Sequence, residues 1–298
     1  MMNKILKKTF YFFSVIMIIT AFLFSWRWVT KGFRISKIAG DLPFKNLNLG
    51  EEKIDPKILN QKYKYFGRGC QAFVFVSLDD QYVIKFIALQ KYNEPFRRRL
   101  LKSFNLCKKY RSERTFNRSR NFYNAFESYK IAYKELKNET AVVHMHFNKN
   151  NLNQKITLID NLGFSHSIDL NSSLFIIQKK ARPLKSTLLG LLEKKDYLAI
   201  DKVIEDYLLE SYGVLSKGIL NKDSSVKNSG YINGKFIEFD LGRFQKVDLS
   251  NFAKHYSLYT RNFRKFLVLN APHLLEVFDA RFKKHVEDFN LGLKKQSQ

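Results

Sequence analysis

The chain has two cysteines in 298 residues, Cys70 and Cys107, too few for a disulfide framework. Reduced thiols with no obligate disulfide partner are expected. Acids are scarce as well: 27 Asp and Glu stand against 52 Lys and Arg, a formal charge of +25. That balance favours anionic partners, among them nucleotides, acidic lipid headgroups, anionic glycans and nucleic acid. C2H2 spacing, an RNP-like strand and a clear helix-turn-helix pattern are all missing, so nucleic acid rests on charge alone and is not expected. The six histidines are scattered, and the closest pair has no Cys, Asp or Glu partner at metal-ligand spacing. The closest pair, His144 and His146, alternates along an apparent strand and is expected in the core or on a strand surface. No internal repeat or low-complexity tract is present.

What is there begins with Thr9 to Trp26 (TFYFFSVIMIITAFLFSW), an uncharged, aromatic-rich run of 18 residues. It is just long enough to cross a bilayer as a helix. Lys4, Lys7 and Lys8 precede it, Arg27, Lys31 and Arg34 follow it, and Trp26 and Trp28 stand where an interfacial belt would. The charges on the two sides nearly cancel and leave orientation open. No small-x-small cleavage site follows the run, which favours an uncleaved single-pass anchor over a signal peptide.

Residues 1–31 are thus expected to be a membrane anchor and 32–60, rich in Gly, Pro and Asn without periodicity, a juxtamembrane linker. From Tyr63, alternating Phe, Val and Tyr residues on both sides of Leu78-Asp79-Asp80-Gln81 predict a hairpin, and Val83 to Phe86 a further strand. Pro95 to Lys137 reads as helix, first very basic and then amphipathic. Phe122, Phe126, Tyr129 and Tyr133 fall at three- and four-residue steps and define one buried face. Strand-like runs follow at Thr140 to Phe147, Lys155 to Ile159 and Ser173 to Gln178, with a turn at Asn161-Leu162-Gly163. Beyond Pro183 the pattern is helical, interrupted by a hairpin around Asn233-Gly234. In the last stretch Tyr256, Tyr259, Phe263, Phe266 and Leu267 mark a core stripe.

Two segments carry chemistry. Phe66 to Phe86 (FGRGCQAFVFVSLDDQYVIKF) sets a glycine turn between apolar alternating runs and ends on a strand lysine, a layout that holds phosphates under a hairpin. Asn221 to Phe244 (NKDSSVKNSGYINGKFIEFDLGRF) places Asp223, Asn228 five residues later, and Asp240 across a hairpin. From Tyr63 to Phe244 this ordered set resembles the protein-kinase-like superfamily, on the side of its atypical, small-molecule or glycolipid kinases. The resemblance implies an α+β, two-lobed fold: an antiparallel-sheet N-lobe with one long helix over 61–182 and a reduced helical C-lobe over 183–298, both behind the anchor.

It also implies roles. Gly67, Gly69 and Ala72 match the phosphate-covering loop, with Ala72 where the third glycine of G-x-G-x-x-G stands. Lys85 matches the strand lysine that neutralises nucleotide phosphates, and Glu127 is its candidate helix partner, with Glu135 the alternative. The adenine would meet backbone near Ile177 to Ala181, which brings in Gln178 and Lys180. Asp223 matches the catalytic aspartate, while Asn228 and the Asp240 of Asp240-Leu241-Gly242 match the magnesium ligands. ATP and Mg2+ are the implied cofactors, and a domain facing an ATP-containing compartment, the cytoplasm, is the implied location. Asn221-Lys222-Asp223 departs from the usual H-R-D, and no A-P-E follows Asp240. A pseudokinase or basic tethered interaction protein, and a membrane protein unrelated to kinases, remain open beside an active phosphotransferase. The Arg97 to Arg99 run is a candidate holder of an anionic substrate or headgroup.

Overall fold

A computed structural model describes residues 2–40, 54–89, 108–147 and 152–296, with 2–6, 108–121 and 293–296 described by backbone alone. Arg97 to Arg99 and Cys107 lie outside the described residues. In chain order, α1 (Met2–Val29), the single turn α2 (Pro56–Leu59) and strands β1 (Lys62–Arg68), β2 (Ala72–Ser77) and β3 (Tyr82–Ile87) come first. Then come α3 (Lys108–Glu135), α4 (Lys137–Thr140), β4 (Val142–His146), β5 (Lys155–Ile159), β6 (Ser165–Asp169), β7 (Phe175–Lys179) and β8 (Arg182–Pro183). The remainder is α5 (Leu184–Glu193), α6 (Tyr197–Ser216), β9 (Ile219–Asn221), β10 (Ser229–Ile232), β11 (Lys235–Glu238), β12 (Phe244–Lys246), α7 (Phe252–Asn270) and α8 (Leu275–Gln296). The chain forms a mixed α and β structure in two compact units, Met1–Phe104 with His146–Ile176, and Asn105–Met145 with Ile177–Gln298. These units divide the chain differently from the expected boundary at 182/183, because α3, α4 and most of β4 group with the second.

The first unit holds strands in the order β3-β2-β1-β5-β6. Phe73, Phe75 and Phe86 fall on one face by strand alternation, and all three are fully buried. Asp79 closes the β2–β3 turn by accepting from Ser77 Oγ at 2.6 Å and the Gln81 N–H at 3.0 Å, with Asp80 left-handed at φ 62°. The predicted turn at Asn161 to Gly163 joins β5 to β6, and Gly163 takes φ 88°. One expectation fails: the sheet is not wholly antiparallel, because β1 pairs β5 in parallel, Tyr63 opposite Leu158. The long excursion between those strands supplies the crossover that parallel pairing needs.

Helix α1 is long and apolar enough to cross a membrane over Lys7–Val29, and none of that window is buried by the rest of the chain. It ends in a Schellman-type turn, with Lys31 at φ 50° and the Gly32 N–H bonding back to the Arg27 carbonyl at 2.9 Å. Asn161 Nδ2 donates to the Val29 carbonyl at 2.8 Å and satisfies a second helix-end acceptor. That turn drops Phe33 into the sheet's aromatic cluster, 5.5 Å from Phe73 and 5.2 Å from Phe75 between ring centroids. Ile38 is fully buried and Ala39 bridges to Ser173. The first stretch of the expected linker is therefore packed against unit 1, while 41–53 lie outside the described residues. Lack of periodicity hid this, because single aromatic and aliphatic anchors need none.

In the second unit Phe122, Phe126, Tyr129 and Tyr133 of α3 are buried as their spacing predicts. Helices α6, α7 and α8 stack aromatics: Tyr207 on Phe263 at 4.2 Å and Tyr256 on Phe282 at 4.8 Å. Such pairs add roughly 0.5–1.5 kcal/mol each beyond the area they bury. Asp196 starts α6 by accepting from the Ala199 N–H at 3.1 Å, a cap worth about 1 kcal/mol. Hairpin β10–β11 turns at Asn233 and Gly234 with φ 49° and 79°, the double left-handed turn that Asn-Gly favours. Gly230 is required where β10 meets β8: an added Cβ would stand 2.3 Å from the Arg182 carbonyl oxygen.

Candidate functional site

In the first unit the glycine turn joins β1 to β2, with a register shift between Tyr65 and Gly67. The Gly69 N–H bonds the Ala72 carbonyl at 2.9 Å across the turn, and the Gln71 carbonyl accepts the Ala88 N–H at 2.8 Å. A Cβ added at Gly67 would meet nothing within 4 Å, and one at Gly69 only the Ala72 carbonyl at 3.8 Å. Neither glycine relieves strain, so what each preserves is open space above the backbone. Lys85 sits opposite Val74 on β3, half-buried, one residue from the buried Ile84 and Phe86. Cys70 is exposed.

In the second unit the loop from Asn221 to Asn228 is braced at three points. Strand β9 pairs β12, placing Asn221 opposite Phe244. Asn221 Oδ1 accepts the Asp223 N–H at 3.0 Å, and Asn228 Nδ2 donates to the Asp223 carbonyl at 2.8 Å. The Asn228 carbonyl accepts the N–H groups of Phe239 and Asp240 at 2.9 and 3.3 Å. The structure thus ties Asp223, Asn228 and Asp240 to one another through backbone and amide groups. Asp240 Oδ1 accepts the Gly242 N–H at 3.2 Å, which orients that carboxylate. The Asp223 carboxylate, Asn228 Oδ1 and Asp240 Oδ2 make no hydrogen bond or ion pair among the described residues, and Asp223 and Asp240 are exposed.

Behind that loop lies a residue the motifs did not name. Glu238, 2% exposed, receives Asn221 Nδ2 at 3.0 Å, Tyr259 Oη at 2.8 Å and the Ser224 hydroxyl. Burial pushes its carboxyl above the usual value while these three donors pull it back, and the nearby Asp240 charge raises it further. Tyr207 Oη bonds Ser224 Oγ at 3.1 Å, and Asn262 Nδ2 donates to the Ser224 carbonyl at 3.0 Å. One carboxylate therefore joins β9, the loop, β11 and α7. An acid inside the otherwise apolar run Phe236-Ile237-Glu238-Phe239 was the signal in the sequence. Ser128, 1% exposed on α3, does the same for the Asp240 turn: its hydroxyl donates to the Leu241 carbonyl and accepts the Phe244 N–H at 2.6 Å.

The remaining candidates are scattered in environment. Glu127 is exposed, and its carboxylate takes Lys130 at 3.1 Å on the next turn of α3; Glu135 takes Lys246. The Gln178 side chain is buried and donates to the Thr140 carbonyl at 2.8 Å, while its Oε1 has no hydrogen-bond partner among the described residues. Lys180 lies just past β7, half-buried. His144 and His146 are buried as expected, and burial lowers the His146 pKa to about 4.

The free oxygens fit a magnesium ion by their chemistry. Carboxylate and amide oxygens are hard donors, and Mg2+ commonly takes one or two from protein and the rest from phosphates and water. Among the described residues no group of three or more His, Cys, Asp or Glu is arranged to hold a metal. Asn228 and Asp240 would then be the protein's share.

No protein-family model and no curated protein matches the chain. Solved structures that resemble it include WbdD, described as a bifunctional kinase-methyltransferase, at 14% identity over 73% of this chain and 43% of that one, TM-score 0.36. A WbdD complex with the kinase inhibitor LY294002 gives 13% identity, 75% and 45% coverage and TM-score 0.37. This chain spans less than half the length of the solved chains it resembles. At such scores and identities the likeness is one of partial fold, and no residue role is drawn from it.

Proposed function

We propose that the chain is a membrane-anchored, kinase-like phosphotransferase that moves the γ-phosphoryl group of ATP to a hydroxyl on a lipid, glycan or protein. The observation that carries this reading is the braced loop: Asp223, Asn228 and Asp240 are linked through Asn228 while their outward oxygens stay unpaired. Polar side chains held rigidly with unsatisfied acceptors are what a site offers to a cation and a substrate proton.

Magnesium, when bound, neutralises and orients the phosphates. Asp223 accepts the proton of the attacking hydroxyl as its oxygen bonds to phosphorus and the bond to the ADP oxygen breaks. Asn228 and Asp240 supply metal ligands. Lys85 balances the phosphate charge, and the open backbone at Gly67 and Gly69 admits the phosphates closely. Alpha helix α1 fixes the enzyme in the bilayer, with the domain on the ATP-containing side. A second reading, nucleotide binding without transfer, is favoured by Ala72 in the third glycine position and by Lys222 beside Asp223.

The test uses the full chain in detergent micelles, titrated with ATP and Mg2+. Magnesium-dependent binding is expected, and Asp240→Ala should abolish it. Asp223→Asn should keep binding and lower phosphoryl transfer or ATP turnover by roughly 10²–10⁴. Absence of metal-dependent binding in the parent chain, or binding indifferent to Asp240→Ala, would sink the reading.

A further inference from the structure

Five cations gather where α1 enters the first unit: Arg27, Lys31, Arg34, Lys37 and Arg68. None pairs with a carboxylate among the described residues. The Schellman-type turn at Lys31 and Gly32 brings them together, since it reverses the chain and sets the Gly32 backbone against Arg68. A Cβ on Gly32 would stand 3.0 Å from Arg68 Nη1 and 3.8 Å from Lys37 Nζ. Lys37 donates to the Gly32 carbonyl. The Arg68 guanidinium lies 5.1 Å from the Phe73 ring centroid, and Lys31 Nζ lies 4.8 Å from that of Trp28. Burial first, then the charges of Arg68, Arg34 and Arg27, push the Lys37 ammonium below its usual value. Like charges held this closely are costly unless an anion joins them.

The surroundings say which anion. Trp26 and Trp28 are 45% and 68% exposed just before the cluster. Asn161 holds the hairpin carrying the exposed Leu162 and Phe164 against the end of α1. A cationic ring bordered by exposed aromatic and aliphatic side chains at the end of an apolar helix has the chemistry of the headgroup layer.

We infer that this collar is a binding site for the phosphate headgroups of anionic membrane lipids, formed by Arg27, Lys31, Arg34, Lys37 and Arg68 around the Gly32 turn. The inference rests on the reading of α1 as a bilayer anchor. Each cation contributes roughly a fivefold preference for anionic over neutral lipid at low salt, and the preference shrinks as salt rises.

The chain's only tryptophans, Trp26 and Trp28, provide the readout. The full chain is reconstituted in phosphatidylcholine bilayers doped with acyl-brominated phosphatidylcholine or acyl-brominated phosphatidylglycerol, and tryptophan quenching is compared. Quenching by the neutral brominated lipid tests the anchor alone; if neither lipid quenches, the anchor reading fails. Stronger quenching by the anionic lipid tests the collar. The Arg34→Gln, Lys37→Gln, Arg68→Gln triple variant should lose the preference by on the order of tenfold or more while keeping quenching by neutral lipid. The Arg34→Lys, Arg68→Lys variant should retain most of it. Equal quenching by both lipids in the parent chain, or a preference that survives the triple substitution, overturns the collar. So does loss of the preference to inorganic phosphate at an ionic strength where chloride has no effect, since the site would then serve a free phosphate.

Discussion

The glycine turn of unit 1 and the aspartate loop of unit 2 are opposites in construction. The turn carries two backbone bonds, Gly69 N–H to the Ala72 carbonyl and Ala88 N–H to the Gln71 carbonyl, and its glycines leave open space above the backbone. The loop is held from behind by Glu238, Ser128, Asn221 and Asn228, and each of those side chains has a defined partner. Open space above a glycine backbone lets a ligand approach it closely. A loop held so fully keeps its shape whether or not a ligand arrives, which is the arrangement that electrostatic preorganisation needs. Mutations should therefore separate the two: stability should suffer at the loop and ligand affinity at the turn.

The largest effect is expected at Glu238. Glu238→Ala strands the donors of Asn221, Ser224 and Tyr259 in a dry interior, and the unfolding free energy from urea titration should fall by about 3–5 kcal/mol. A loss below about 1 kcal/mol would mean that the loop is braced elsewhere. Gly230→Ala comes next, because the new methyl meets the Arg182 carbonyl; about 1–3 kcal/mol is expected by the same measurement.

Glu210 gives a pH test of unit 2. Burial and the Glu139 charge raise its pKa to about 7, while Lys235 and Lys217 pull the other way and Glu238 adds to the rise. An acid whose folded pKa lies above its unfolded value holds its proton more tightly when folded, so stability falls as pH rises from about 4.5 to 7. Glu210→Gln should flatten that slope and stabilise the protein at neutral pH by roughly 1–3 kcal/mol, read from unfolding midpoints across the pH range. A slope that survives the substitution assigns it to another group. The smallest stability change belongs to the turn: Gly67→Ala should alter the unfolding free energy by at most about 0.5–1 kcal/mol yet weaken binding of ATP with magnesium in a titration. Equal binding by the variant would remove the turn from the site.

The sequence was most legible where a short-range rule decides structure. Asn233-Gly234 specified its hairpin, and the spacing of the α3 aromatics their buried face. It was least legible where a polar group is satisfied by distant partners. Glu238 depends on Asn221 and on Tyr259, 21 residues away, and Ser128 on Phe244, 116 residues away. No local pattern encodes such bonds, and a buried serine reads like any helix serine. The parallel β1–β5 pair was equally hidden, since alternation sets which face a residue takes but not the direction of its neighbour.

The Schellman-type turn at the end of α1 has a mechanical consequence. It places no slack between the apolar helix and the sheet: Phe33 is already in the core four residues past the end of α1. The 23-residue window Lys7–Val29 is about 34 Å long at ~1.5 Å per residue, against a hydrocarbon layer of about 30 Å. A helix that long leans to fit, and it leans less as the layer thickens. Were α1 to cross a bilayer as proposed, that lean would carry unit 1 with it, and bilayer thickness would bias the angle at which the glycine turn faces the membrane.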